Sequence, residues 1–403
     1  MNLILNYISW LFFVFLALCV GYLLFYAIMS KFYKNKKYSE SKKIRKFAVL
    51  VPAYKEDQII LSTIKSLLTQ DYPQDKYNII VISDRMNEET DNKLKSLPIH
   101  LLIPHFEKSS KANSLIYAVE NTKNENYDAY VILDADNTMI PNFLYDANNI
   151  LDSGIKAIQA CRMGKNIDTD IAILDNISEA INNGFFRSGH NAIGLSSSLA
   201  GSGMVFEANW FKKNVIYLHT VGEAKELEAL LLKQFVHIEY IRDLCVFDEK
   251  THKLNAINKQ RRRWLAVQYG ALRRSLPDFP KALLHGNIDY CDKIVQWMLP
   301  PRLIQLALVF GLTLIFTIIA ITGDAEKGLS LWTMCIKWWV LSVMQVACML
   351  IPIPKQLISR RLFLSIVYLP QLFFGTFINM FKLRSANKNF IHTEHGGKNP
   401  VEQ

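Results

Sequence analysis

The chain has 403 residues, 50% of them hydrophobic, and a formal net charge of +10. That length holds one large domain plus a membrane part, and an apolar content at the upper edge of the soluble range makes its distribution decisive. Basic clusters beside apolar stretches supply much of the charge, so anionic lipid headgroups rather than nucleic acid are the expected partner, and the six cysteines show no paired short spacing that supports a disulfide framework or a zinc site.

Leu3–Ser30 contains no Lys, Arg, Asp or Glu and is rich in Leu, Phe and Val. It is long enough to cross a hydrocarbon core of roughly 30 Å. A cleaved signal peptide is the alternative, but the stretch is too long for one, lacks a basic start and shows no small-residue cleavage site. Lys31, Lys34, Lys36, Lys37, Lys42, Lys43, Arg45 and Lys46 follow. By the positive-inside rule this linker, 31–46, is cytoplasmic and the N-terminus lies outside.

From Lys46 to about Cys161, apolar β-branched runs alternate with helical patterns. Strands are expected at Phe47–Val51, Asn78–Ile82, His100–Ile103, Ala129–Leu133 and Ala157–Cys161, and helices at Gln58–Thr69, Glu88–Ser96, Ser109–Glu120 and Asn142–Leu151. This alternation implies an α/β domain with a mostly parallel sheet covered on both faces. Ligands of such sheets bind beyond the carboxyl ends of the strands. Pro52, Tyr54 and Glu56 follow the first strand, Asp84 ends the second and Asp134-Ala-Asp136 follows the fourth. All three groups therefore fall on one rim.

Asp134 and Asp136 are two apart, so a strand end presents both on one face. One of them is suited to ribose and the other to a divalent ion, Mg2+ or Mn2+, bridging a diphosphate; a strand exit with turn hydrogen bonds is the plainer reading. Asp84 is a candidate acceptor for a pyrimidine or ribose, or a helix N-cap. Tyr54 and Glu56 are placed to meet a base, although Glu56 also suits a helix first turn. Lys111 faces either a phosphate or solvent. Gly201-Ser202-Gly203 lines an acceptor site or forms a tight bend before a Met204–Glu207 strand. Glu223, and after it Glu226, are candidates for the base that takes an acceptor proton, or are helix-start caps. In Gln260-Arg-Arg-Arg-Trp264, Arg263 and Trp264 are suited to hold a diphosphate and stack a sugar. Consecutive arginines point in different directions, so not all three serve one ligand, and a lipid-facing basic patch is the alternative.

Beyond interfacial helices at 265–302, Leu303–Ile321 and Leu331–Ile353 read as two spans, the latter interrupted by Lys337. The Gly323–Ser330 loop between them carries Asp324 and Glu326 and is expected outside. Leu362–Phe381 is apolar, but Pro370 and Gly375 interrupt it and basic residues flank both ends. It reads as an interfacial or re-entrant segment within 354–403 rather than a further span.

Together these motifs resemble the membrane-embedded family 2 glycosyltransferases, which include cellulose, chitin and hyaluronan synthases and many bacterial polysaccharide transferases. The resemblance runs from about Lys46 to Trp264. It implies a GT-A catalytic domain at 47–264, nucleotide and metal roles for Asp84, Asp134 and Asp136, and phosphate or acceptor roles for Gln260, Arg263 and Trp264. Phe390-Ile-His-Thr-Glu394 resembles the cytoplasmic tail of related bacterial enzymes. One position departs from the family: its base is usually the Asp of a Thr-Glu-Asp triplet, and here the stretch is Gly222-Glu223-Ala224. The expectation is an inverting, metal-dependent enzyme of the inner cell membrane. It moves a hexose or N-acetylhexosamine from a nucleotide-sugar donor, a UDP-sugar, to a growing polysaccharide, with secretion or synthase subunits as possible partners. Transfer of one sugar to a lipid-linked acceptor and a non-catalytic subunit are the competing readings.

Overall fold

A computed structural model of the chain describes residues 3–251, 254–322 and 328–382, with side chains described for these except 3–6, 8, 254–255 and 328–331. The loop at 323–327 and the 383–403 tail, with its expected motif, lie outside the described residues. One eight-stranded sheet runs in the order β3-β2-β1-β4-β7-β6-β8-β5. Its strands are β1 (Phe47–Tyr54), β2 (Tyr77–Asp84), β3 (His100–Leu102), β4 (Ala129–Ile132), β5 (Thr138–Met139), β6 (Ala157–Gly164), β7 (Met204–Glu207) and β8 (Ile238–Asp248). The strands expected from the sequence are all present; β5 and β8 were not anticipated.

The sheet is mixed rather than mostly parallel. β1 pairs in parallel with β2 and β4, and β2 with β3, but β7 is antiparallel to both β4 and β6. The reason lies in the preceding loop, which reaches the carboxyl-end rim at Gly201. The chain then enters the sheet from that end, Met204 opposite Ile132. Both faces of the sheet are buried. Ala48 and Leu50 join Ile80, Ile82, Tyr130 and Ile132 on one side, and Phe47, Val49 and Val51 join Ile79, Val81 and Val131 on the other. Alternate projection thus turns a continuous apolar run into a two-faced core.

Helices Ile60–Leu67, Glu88–Lys95, Lys111–Asn121 and Phe143–Asp152 occupy the expected connections. The Ser110 hydroxyl accepts the Asn113 N–H at 3.1 Å and caps the third of these, which starts the helix at Lys111. Helix Asp170–Asn183 was not anticipated; Thr169 caps it by accepting the Ala172 N–H.

Among the described residues, four helices are long and apolar enough to cross a membrane, by length and composition: Ser9–Phe32, Arg302–Thr322, Trp332–Leu350 and Arg360–Phe381. Leu16, Val20, Val309, Trp338 and Leu341 pack the first three together, and the Thr313 and Ser342 hydroxyls share a 2.8 Å hydrogen bond. The Lys337 ammonium sits 3.8 Å from the Trp10 ring centroid, where the indole face offsets its charge. The last helix is broken at the 3-10 turn Ile366–Tyr368. It lies against the catalytic part: the Asn379 amide donates to the Asn258 carbonyl at 2.9 Å, and Arg361 pairs with Asp170 at 3.0 Å.

The first helix is tied to the catalytic domain through Asp292. The Tyr22 and Tyr26 hydroxyls donate to it at 3.1 and 2.7 Å, and His190 meets its other oxygen at 2.9 Å. His190 stacks on Tyr26 with centroids 3.7 Å apart. A Cβ on neighbouring Gly189 would stand 2.4 Å from the Tyr26 carbonyl, so glycine allows this approach.

Candidate active site

The rim begins where β1 and β2 end. Lys55 and Arg85, one residue past each strand, take left-handed backbone angles (φ +55° and +58°), a conformation unfavourable for side-chain-bearing residues and typical of functional turns. The Lys55 N–H donates to the Asp84 carbonyl at 3.3 Å, which joins the two turns. A cavity of about 1040 Å³ opens above this rim.

Pro52, Tyr54, Glu56, Asp84, Lys111, Asp134, Asp136, Gly201, Glu223, Gln260, Arg263 and Trp264 all line that cavity. Residues more than two hundred positions apart in sequence thus meet in one place. Ser202 and Gly203 stand behind the wall. The fully buried Ser202 hydroxyl accepts the Asp134 N–H at 3.0 Å and the Asn137 amide at 2.6 Å, so it holds the aspartate turn. Gly203 has φ +65°, and a Cβ there would lie 2.7 Å from Val246. Glu226 faces away from the cavity. It accepts the His219 and Thr220 N–H groups at 2.9 and 3.2 Å and lies 3.6 Å from Arg274. It therefore organises the loop before helix Glu223–Lys233, whose first residue is Glu223. Ala224 also lines the cavity, so no carboxylate enters at that position.

Lys111 is the electrostatic hub. Its ammonium bonds to Asp134 Oδ1, donates to the Gly201 carbonyl at 2.7 Å and lies 3.6 Å from Glu223 Oε1. Burial alone would raise the Asp134 pKa, but Lys111, Arg162 and Arg263 outweigh it and hold the carboxyl below its usual range. Burial pushes Glu223 up, with Lys111 opposing and Asp134 reinforcing. Burial, followed by Asp136, Asp134 and Glu249, pushes Glu56 up to about 9. Asp84 is raised by burial.

That crowding of carboxylates fits a divalent cation. The Asp136 Oδ2 accepts the Glu249 N–H at 3.2 Å, and the Asp136 carbonyl takes the Lys165 ammonium at 2.5 Å. Among the described residues no three Asp, Glu, His or Cys form a complete cage. A hard ion held by one or two carboxylates, with diphosphate oxygens completing its shell, needs no such cage.

Gln260, Arg263, Trp264 and Val267 reach the cavity from helix Leu254–Ser275 at helical spacing. Arg261 lines it as well. A second layer of charge went unseen in the sequence. Arg162 pairs with Asp248 at 2.7 Å and donates to the Ala200 carbonyl at 2.8 Å, and Lys250 lies 2.9 Å from Asp248. Glu228, fully buried, accepts the Leu199 N–H at 2.8 Å and pairs with Lys225 at 2.9 Å. Arg162 lies near the end of β6 and Asp248 ends β8, and no spacing links them; only the pairing of those two strands does.

The fold is that of a GT-A nucleotide-sugar transferase. The family model for glycosyltransferase like family 2 matches residues 45–266, over half the chain, and the chain belongs to that family of enzymes. Among solved structures, the mannosyltransferase PcManGT of Pyrobaculum calidifontis, in complex with GDP-Man and Mn2+, is 16% identical with a TM-score of 0.52, covering 83% of this chain and 95% of that one. S. aureus TarS 1–349 with UDP-GlcNAc (14% identity, TM-score 0.42) covers 85% of this chain and 91% of its own. Glucosyl-3-phosphoglycerate synthase of Mycobacterium tuberculosis with Mn2+, UDP and glucosyl-3-phosphoglycerate (16%, 0.40) covers 59% and 87%. No curated protein matches the chain in sequence.

Proposed function

We propose that the chain is an inverting transferase that moves a sugar, hexose or N-acetylhexosamine, from a UDP-sugar to an acceptor hydroxyl at the cytoplasmic face of the inner cell membrane. The observation that carries this reading is Lys111, bonded to Asp134 and 3.6 Å from Glu223. The diphosphate end and the base thereby meet across one cation. Pro52, Tyr54, Glu56 and Asp84 receive the nucleotide. Asp134 and Asp136 would hold Mg2+ or Mn2+, which would supply positive charge to offset that of the departing diphosphate. Gln260 and Arg263 steady that diphosphate, and Trp264 offers its ring to the acceptor sugar. Gly201 lets the backbone come close to the same space.

Glu223 accepts the proton of the acceptor hydroxyl. The oxygen attacks the anomeric carbon on the face opposite the diphosphate, the bond from that carbon to the phosphate oxygen breaks, and the configuration inverts. Glu223 takes the role that Ala224 has no group to fill.

Between a growing polysaccharide and a lipid-linked acceptor, one observation favours the second. Beyond the sugar site the cavity wall turns apolar, with Leu306, Phe310, Met349 and Leu369 lining it. Hydrocarbon suits such a wall better than a hydroxyl-rich glycan. The contacts of Arg361 and Asn379 with the catalytic part favour an interfacial course for the last helix.

The full chain in membranes, offered a panel of nucleotide sugars, is expected to release nucleotide from one of them and to stop in excess chelator. Product NMR is expected to show an anomeric configuration opposite to the donor's. Absence of release with every donor, or retained configuration, overturns the reading.

A further inference from the structure

Between the sugar site and the membrane helices, the cavity wall carries charges of both signs. Asp175, Glu179 and Asp248 are the carboxylates there, and each already has a partner. Arg162 and Lys250 lie 2.7 and 2.9 Å from Asp248, Lys250 lies 4.0 Å from Asp175, and Arg187 lies 2.7 Å from Glu179. Arg261 and Arg302 line the same cavity without an ion pair within 4.0 Å among the described residues. Arg302 gives one amino group to the Ser178 hydroxyl at 3.0 Å, while its Nη1 is buried with no hydrogen-bond partner. A guanidinium nitrogen withdrawn from water without an acceptor is unfavourable. Arg302 also begins helix Arg302–Thr322, where the helix dipole adds positive potential. An anion seated here relieves all of these at once.

The next residues along the same helix change character. Leu303, Leu306 and Phe310 line the same cavity, as do Met349 and Leu369 from the other membrane-side helices. Two cations at the top of an apolar slot match one kind of molecule, an amphiphile with a phosphate or diphosphate head and a hydrocarbon tail. We propose that Arg261 and Arg302 form the headgroup subsite of a lipid-linked acceptor whose tail lies along this slot. Guanidiniums bind phosphate oxygens in a bidentate fork, and two of them balance a charge of about −2. The headgroup is thereby held beside Trp264, which places the acceptor end of the lipid near Glu223. The assignment rests on the transferase reading above and names its acceptor class.

The test uses the full chain in phosphatidylcholine nanodiscs, with protein-free discs as the blank. Binding of dodecyl phosphate is compared with that of uncharged dodecyl glucoside and of inorganic phosphate. Dodecyl phosphate is expected to bind tighter than either by at least about tenfold, the scale of one charge-assisted hydrogen bond. Arg302→Gln and Arg261→Gln are expected to erase the preference over dodecyl glucoside, and Arg302→Lys to keep part of it. Equal binding of the two amphiphiles by the unmodified protein overturns the subsite, as does a Gln variant that keeps the full preference. Inorganic phosphate binding as tightly as dodecyl phosphate replaces it with a site for a soluble anion. If a Gln variant does not fold, the comparison on the unmodified protein still decides. Nucleotide release is read in parallel. Release without a headgroup preference sinks the subsite alone, whereas a headgroup preference without release from any nucleotide sugar sinks the transferase reading.

Discussion

Glu223 and Glu226 stand less than one helical turn apart, yet one lines the cavity and the other ties down a loop. Glu223→Gln is therefore expected to lower turnover by at least about a hundredfold, the usual scale for losing a general base. Donor affinity should hardly move, because the base acts on the acceptor. Glu226→Gln is expected to keep most turnover and to lower the melting temperature instead, since it weakens two caps on the loop. Steady-state kinetics beside thermal unfolding separate the two; equal turnover losses would remove the distinction. Glu56 carries a pH signature. Its folded pKa of about 9 lies above its ordinary 4.5, so the native state binds the extra proton. The stability linked to that proton is complete below the ordinary value and is lost as pH rises through the folded one. In metal-free protein, Glu56→Gln is expected to gain on the unmodified chain as pH climbs from about 5 to about 9. Melting curves across that range check it, and a constant difference would contradict the burial argument.

At the scale of elements, the turn into β7 does the positioning. The Ser202 hydroxyl holds the Asp134 and Asn137 turn, and Gly203 is bonded to Ile132 of β4 and Ala160 of β6, where an added Cβ would lie 2.7 Å from the Val246 side chain. Gly203→Ala adds left-handed strain to that overlap and is expected to cost roughly 1–3 kcal/mol from overpacking alone. Gly154 also has positive φ, but a Cβ there meets nothing within 4 Å. Gly154→Ala is expected to cost only about 1 kcal/mol, the backbone term. Denaturant unfolding of both variants measures the gap; equal costs would mean the β7 turn yields easily. The strand pattern of this region was readable because apolar alternation is local. The direction of β7 was not, because it follows from where the preceding loop meets the rim.

At the scale of the molecule, orientation follows from charge beside the apolar helices. In a background lacking the native cysteines, a cysteine at Lys42 is expected to be labelled only after permeabilisation, and one at Glu326 in intact cells. A cysteine at Lys398 is expected to behave like Lys42 if the last helix lies in the interface; labelling from outside would make that helix a span. Glu326 and Lys398 lie outside the described residues, and the assay does not depend on their structure.

The α/β alternation, the rim motifs and the apolar stretches were legible from residue order, because each is a local pattern of hydrophobicity or charge. Pro52, Asp84, Asp134 and Asp136 were found together for that reason: strand ends share a rim whatever the order of the strands. What only the tertiary structure decided depends on contacts between distant segments. Pairing of β6 with β8 joins Arg162 to Asp248. The angular position of each residue on its helix sends Glu223 into the cavity and Glu226 out of it, and Arg261 emerges as a lining residue beside Arg302 only once helix Leu254–Ser275 is docked. Periodicity tells a chain which faces to bury, but charges find their partners only when those faces meet.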